Sequence, residues 1–102
     1  MGKKIARIGD KWEGICYHPD HSSPISVTGE IITGSSFCTD MGIGIARHGD
    51  TVEATCGHTD TIVSTTTTFD INGIPVARLD DETTGSVLVG VITEGSPTST
   101  SI

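Results

Sequence analysis

The sequence predicts an all-β domain made of three similar units. Three observations carry that prediction. An Ala-Arg opening recurs as Ala6-Arg7-Ile8-Gly9-Asp10, Ala46-Arg47-His48-Gly49-Asp50 and Ala77-Arg78-Leu79-Asp80-Asp81. Repeats at such a period mean one supersecondary unit arrayed about an axis. No stretch sustains a helical period. Thr, Ser and Gly are abundant and the apolar set is mostly β-branched, which favours short strands and tight turns.

Taken in order, the chain reads as one domain over residues 1–102, with units at about 5–44, 45–75 and 76–97. Each unit opens with a short strand, apolar residue then Ala-Arg, stopped by Gly-Asp or Asp-Asp. Residues 19–28, rich in Pro and Ser, are extra length in the first unit and read as a loop. The first and third units close with an apolar pair followed by small residues, Ile31-Ile32-Thr33-Gly34-Ser35 and Val91-Ile92-Thr93-Glu94-Gly95-Ser96. The second offers Ile62-Val63-Ser64-Thr65 at that place. Asn72-Gly73 before Ile74-Pro75 is a tight-turn signal, and Met41-Gly42 before Ile43-Gly44 is the same turn one unit earlier. The polar, β-prone run Ser64–Thr68 suits a strand with at least one wet face. Residues 98–102 read as a loosely held tail.

Composition limits the function. Apolar residues make up 34% of the 102, with one Trp, one Tyr and two Phe. That is a thin core, and a structural metal is the usual supplement. A formal charge of −7, with no basic cluster beyond Lys3-Lys4, argues against nucleic acid, whose phosphates require a basic face. No apolar run approaches a membrane span, so stable membrane insertion is not expected. No secretory signal is visible behind Met1-Gly2-Lys3-Lys4. Three cysteines without such a signal point to metal or free thiols rather than a disulfide framework.

The candidate metal ligands are Cys16, His18, His21, Cys56 and His58. Cys16-Tyr17-His18 and Cys56-Gly57-His58 occur in the same internal register, forty residues apart. In extended chain, residues i and i+2 face the same way, so each Cys-x-His aims two donors at one ion. Thiolate and imidazole without a carboxylate suit a closed zinc site. The plainer reading, buried cysteines and surface histidines with no metal, is sufficient for one Cys-x-His but not for two in register. Five candidates exceed a tetrahedron by one. His18, Cys56 and His58 lead, and Cys16, by unit symmetry, competes with His21. His48 has Ile8 and Leu79 as counterparts and reads as a partly packed strand residue. Cys38 aligns with Phe69 and reads as a buried apolar thiol. Arg7, Arg47 and Arg78 recur three residues before Asp10, Asp50 and Asp81, which suggests a shared structural ion pair.

These residues resemble the PAAR-repeat proteins, named for Pro-Ala-Ala-Arg. Pro75-Val76-Ala77-Arg78 is one substitution from that motif. Lys4-Ile5-Ala6-Arg7 and Gly44-Ile45-Ala46-Arg47 keep Ala-Arg and lose the proline. The resemblance implies a small β cone with three pseudo-symmetric repeats and one structural Zn2+ near the vertex, generally held by histidines and a cysteine. The three-His, one-Cys pattern of the family would make His21 the fourth ligand. It implies a non-enzymatic protein, a monomer when free, whose base caps a trimeric β-helical spike at one chain per trimer. Such a protein sharpens the tip of a contractile injection machine and meets the target cell envelope transiently. The Cys-Gly-His form without an effector extension looks more like members from phage tails, which places the chain at the virion's baseplate and spike tip. A type VI secretion system or an extracellular device is the alternative. Ile5, Ile45 and Val76, at the repeat starts, are the expected spike-facing edges; otherwise they fill the chain's own core.

Three other classes compete. A metal-dependent hydrolase needs an open coordination position and a general base; no His-Glu-x-x-His occurs, and only Asp20 and Asp60 lie near the Cys-x-His pairs. A zinc ribbon needs Cys-x-x-Cys knuckles, which are absent. A secreted effector needs a toxin domain, and nearly all of this chain is repeat.

Overall fold

The structure, a computed structural model, describes residues 2–101. Its twelve strands are β1 (Lys3–Lys4), β2 (Lys11–Cys16), β3 (Ile25–Ile31), β4 (Thr39–Asp40), β5 (Ile43–Gly44), β6 (Thr51–Ala54), β7 (Thr59–Val63), β8 (Asp70–Ile71), β9 (Ile74–Pro75), β10 (Glu82–Thr83), β11 (Leu88–Ile92) and β12 (Thr100–Ser101). No helix occurs among the described residues. Six strands close an antiparallel barrel in the order β10-β11-β2-β3-β6-β7. Each unit contributes one hairpin to it: β2–β3, β6–β7 and β10–β11.

Period-2 alternation fills the barrel. Trp12 and Cys16 on β2, Val27 and Ile31 on β3, Val52 and Ala54 on β6, Ile62 on β7, and Leu88 and Ile92 on β11 all face inward in one cluster. Trp12 is fully buried, and two glycines make room for it. Gly14 and Gly90 face each other across β2 and β11. A Cβ on either would stand 2.7 Å from Cζ2 of the indole and collide with the facing backbone. One large ring thus replaces several missing apolar residues.

The three openings form the floor of the barrel. The Ala6 N–H donates to the Ala77 carbonyl at 2.9 Å, Ala77 to Ala46 at 2.9 Å, and Ala46 to Ala6 at 3.0 Å. The backbone therefore closes a ring of three hydrogen bonds around the pseudo-threefold axis. Each opening then turns back through the same device. The backbone N–H of Arg7, Arg47 and Arg78 donates to the carboxylate of Asp10, Asp50 and Asp81, at 2.7 Å in each case. The Asp N–H returns the bond to the Arg carbonyl at 3.0 Å each time. The side chains pair as well, at 3.5, 3.1 and 2.9 Å. The third position of this turn needs positive φ, and Gly9, Gly49 and Asp80 adopt it at 91°, 87° and 72°.

Below the ring lie the remaining short strand pairs. The pairs β4–β5 and β8–β9 are joined by Met41-Gly42 and Asn72-Gly73, both with φ positive at both positions, as the tight hairpin turn requires. Strand β1 pairs with β12 at the matching place. Ile5, Ile45, Ile71 and Val76 fill a second, smaller core here, with Cys38 packed against it. The molecule is a small all-β cone, 40 × 23 × 22 Å along its principal axes.

Five expectations need correction. Ser64–Thr68 form no strand: β7 ends at Val63 and β8 begins at Asp70. Residues 25–28 belong to β3, since Ser26 and Thr28 face outward while Val27 fills the barrel. Thr100 and Ser101, expected in a loose tail, pair with Lys4 and Lys3, and Ser101 is buried, while Ile102 lies outside the described residues. Ile5, Ile45 and Val76 do not present edges to solvent, because alternation turns them into the second core at 1%, 5% and 0% exposure. His48 is an exposed turn residue whose Nδ1 accepts a hydrogen bond from the Ser64 N–H at 3.1 Å.

Candidate metal centre

At the end opposite the alanine ring, three chain segments converge. Cys16 ends β2 and keeps the inward phase of Trp12, so its thiol is buried at the mouth of the barrel. Cys56 and His58 lie in the β6–β7 connection. The Gly57 N–H donates to the Ala54 carbonyl and the Ala54 N–H to the His58 carbonyl, both at 2.9 Å. Gly57 takes φ 91°, which lets Cys56 and His58 face one point. His21 arrives on a turn after β2, closed by its N–H on the His18 carbonyl at 3.1 Å.

Cys16, His21, Cys56 and His58 form one group, their donor atoms all within 4.8 Å of one another. The His58 Nδ1 stands 3.4 Å from the Cys16 Sγ and 3.5 Å from the Cys56 Sγ. A tetrahedral zinc with Zn–S of about 2.3 Å and Zn–N of about 2.05 Å has an S–N edge of about 3.6 Å. The Nε2 of His21 is buried without a hydrogen-bond partner, an orphan that a metal bond would satisfy. Two sulfurs and two imidazoles with no carboxylate are a soft, closed donor set. The residues therefore fit a metal ion, and it would cross-link β2, the 18–21 turn and the β6–β7 connection.

The electrostatics favour an anionic donor. Burial pushes the Cys16 thiol up. Burial also pushes Cys56 up, but the polar groups around it, first the His58 backbone N–H, then His21, Cys16 and the His58 ring, outweigh it and bring that thiol down to about 6. Desolvation lowers His58, and its contacts with Cys56 and Asp20 more than offset this, leaving it raised. The thiolate is the metal-binding form.

His18 stands outside the four. Its ring stacks on His58 with centroids 3.7 Å apart and planes 8° apart, and its Nδ1 accepts the Asp20 N–H at 3.1 Å. With Asp20 and His58 it forms a second, more exposed group. The repeat register brings both cysteines into the group but only one of the two Cys-x-His histidines, for a physical reason. Cys16 and Cys56 share a register, but β2 runs on to Cys16 while β6 stops at Ala54. The chain leaves the two cysteines in different directions, so His18 covers His58 instead of mirroring it, and the inserted loop supplies His21.

Sequence reasoning placed Asp60 near a Cys-x-His pair but missed its structural role. The third hairpin carries no Cys or His, and Asp60 on β7 organises it. Its carboxylate accepts from the Val87 N–H at 3.1 Å, the Leu88 N–H at 3.0 Å and the Thr84 hydroxyl. Burial would raise its pKa, but these bonds and that from the Thr61 N–H outweigh burial and hold it below the usual carboxylate range. Its place opposite a Ser/Thr-rich turn was the available signal.

A family model for the PAAR motif matches residues 21–90. The chain belongs to the PAAR-motif family. No curated protein matches it. PAAR-motif proteins form the spike tips of contractile injection machines, phage tails and type VI-like systems alike, and associate with a spike protein there. The family is a structural one, and a Cys/His cluster able to hold a metal ion accords with it.

Proposed function

We propose that this chain caps the trimeric β-helical spike of a phage tail, one chain per trimer, with one structural zinc holding the vertex. It is a monomer when free, part of the virion's baseplate, and meets the target envelope only during puncture. It performs no catalysis. The observation that carries this reading is the alanine ring: a single chain offers three near-equivalent sectors, which is what three identical subunits require of one cap.

The face around that axis supports the same reading. Below the second core, Phe37 and Met41 are 83% and 69% exposed, and Ile43, Phe69 and Ile74 are each 37% exposed. An apolar patch on so small a protein marks an interaction surface. Ile5, Ile45 and Val76 lie beneath that face and would support the contact from behind. A tip of a type VI system would use the same base.

Mixing the protein with its cognate spike tip and weighing the complex tests the stoichiometry. One chain per trimer is expected; three per trimer, or no binding to a folded spike, overturns the cap. Phe37→Asp should abolish binding with zinc content and fold retained. Val76→Asp should instead unfold the protein, because its charge would enter the second core unpaired.

A further inference from the structure

The side chain of Asp20 has no part in the four-donor group, yet it lies against it. Its Oδ2 is 3.3 Å from the His58 Nε2. The other nitrogen of that ring, Nδ1, faces both cysteine sulfurs. If Nδ1 offers its lone pair to a metal, the ring proton must sit on Nε2, where the Asp20 carboxylate can accept it. The same oxygen lies 3.5 Å from the His18 Nδ1. That nitrogen already accepts the Asp20 backbone N–H, so in neutral His18 it carries a lone pair and cannot donate. The carboxylate is therefore committed to His58.

We propose that Asp20 is a positioning residue that fixes His58 in the tautomer whose Nδ1 binds the metal, with the His18 ring stacked on His58 to hold its plane. The proposal rests on the reading of Cys16, His21, Cys56 and His58 as metal ligands. It explains why a short turn carries His18, Asp20 and His21 together: one residue covers, one orients and one binds. The turn itself is closed by the His21 N–H on the His18 carbonyl and the Asp20 N–H on the His18 Nδ1, and the Asp20 side chain is 73% exposed, so its removal leaves the turn's own bonds in place.

The test is zinc affinity by chelator competition for the wild type, Asp20→Ala and Asp20→Asn, with long-range ¹H–¹⁵N NMR of His58 in the reduced, metal-free proteins. Outer carboxylates of this kind contribute about 10–100-fold in metal affinity. Asp20→Ala should lose about tenfold or more, and Asp20→Asn, which keeps an acceptor without the charge, should lose less. The fraction of His58 protonated at Nε2 should be larger in the wild type than in Asp20→Ala, where the proton shifts toward Nδ1 and the cysteine sulfurs. Equal affinities together with unchanged tautomers overturn the proposal alone. An affinity loss matched by a lower metal-free melting temperature, with the tautomer unchanged, also overturns it, since Asp20 would then be scaffold. Absence of zinc binding by the wild type overturns the metal reading and this proposal with it.

Discussion

Single residues at the vertex carry more than their number suggests. Cys56 has its donor atom within 4.8 Å of the other three, has its thiol brought down to about 6, and packs against the barrel core. Cys56→Ala should drop the metal content from about one equivalent to near zero. A ligand present at 100 times its Kd stabilises the native state by about 2.7 kcal/mol, and a chain of this size shifts about 4–8 °C per kcal/mol. A fall in melting temperature of roughly 10–20 °C is therefore expected, and chelation of the wild type should match it. Melting at the holo temperature after chelation would show that the metal is not structural. The sequence showed which residue types meet, because Cys-x-His in strand register is a local pattern. It did not show which of them touch. His18 and His21 differ by where one loop turns, and that is settled by contacts between units, beyond the reach of spacing.

Among the elements, the β2–β11 pair leaves no room for a side chain at its centre. Gly14 and Gly90 face each other over Trp12. In most strands a glycine weakens the ladder; here it is the space the indole occupies. Gly14→Ala would push a methyl group into the Val89 carbonyl and the Trp12 ring at once. Overpacking of this kind costs about 1–3 kcal/mol or more. Chemical denaturation should show at least that loss for Gly14→Ala, while an exposed strand change such as Glu82→Gln should stay within about 0.5 kcal/mol. Similar stabilities for the two would mean that Trp12 has room to move. The turns were legible from Asn72-Gly73 and its echo in Met41-Gly42, because positive φ is a local demand. The glycine pair was not legible, because Gly14 and Gly90 meet only once β11 lies beside β2. Strand β3 was hidden in the same way: Pro and Ser near its start outweighed the short alternation that follows.

At the scale of the whole molecule, the ring of units is closed by polar contacts between Asp40 of the first unit and the segment after the third. The Asp40 carboxylate accepts the Ser99 hydroxyl at 2.7 Å, and Arg7 lies 3.6 Å away. Hydrogen bonds from Ser96 and Ser99, then the charge of Arg7, hold its pKa below the usual carboxylate value. A depressed folded pKa adds stability that is present above the unfolded value, near about 3.9, and is lost as pH falls through the folded one. Melting temperature should therefore decline more steeply below about pH 4 in the wild type than in Asp40→Asn. Parallel declines would place the acid sensitivity elsewhere. The threefold plan was readable from the Ala-Arg recurrences, since identical local sequence makes identical local turns. The closure of β1 on β12 was not, because a strand of two residues has too little pattern to declare itself. The alanine ring has one more consequence. A threefold receptor could accept such a cap in three orientations, a third of a turn apart, which triples the productive encounters. The places that receive the N–H groups of Ile45, Val76 and Ile5 are Cys38, Phe69 and Ser99, a thiol, an aromatic ring and a hydroxyl. Backbone symmetry leaves the seating degenerate, and those three unlike side chains are where the choice among orientations can be made.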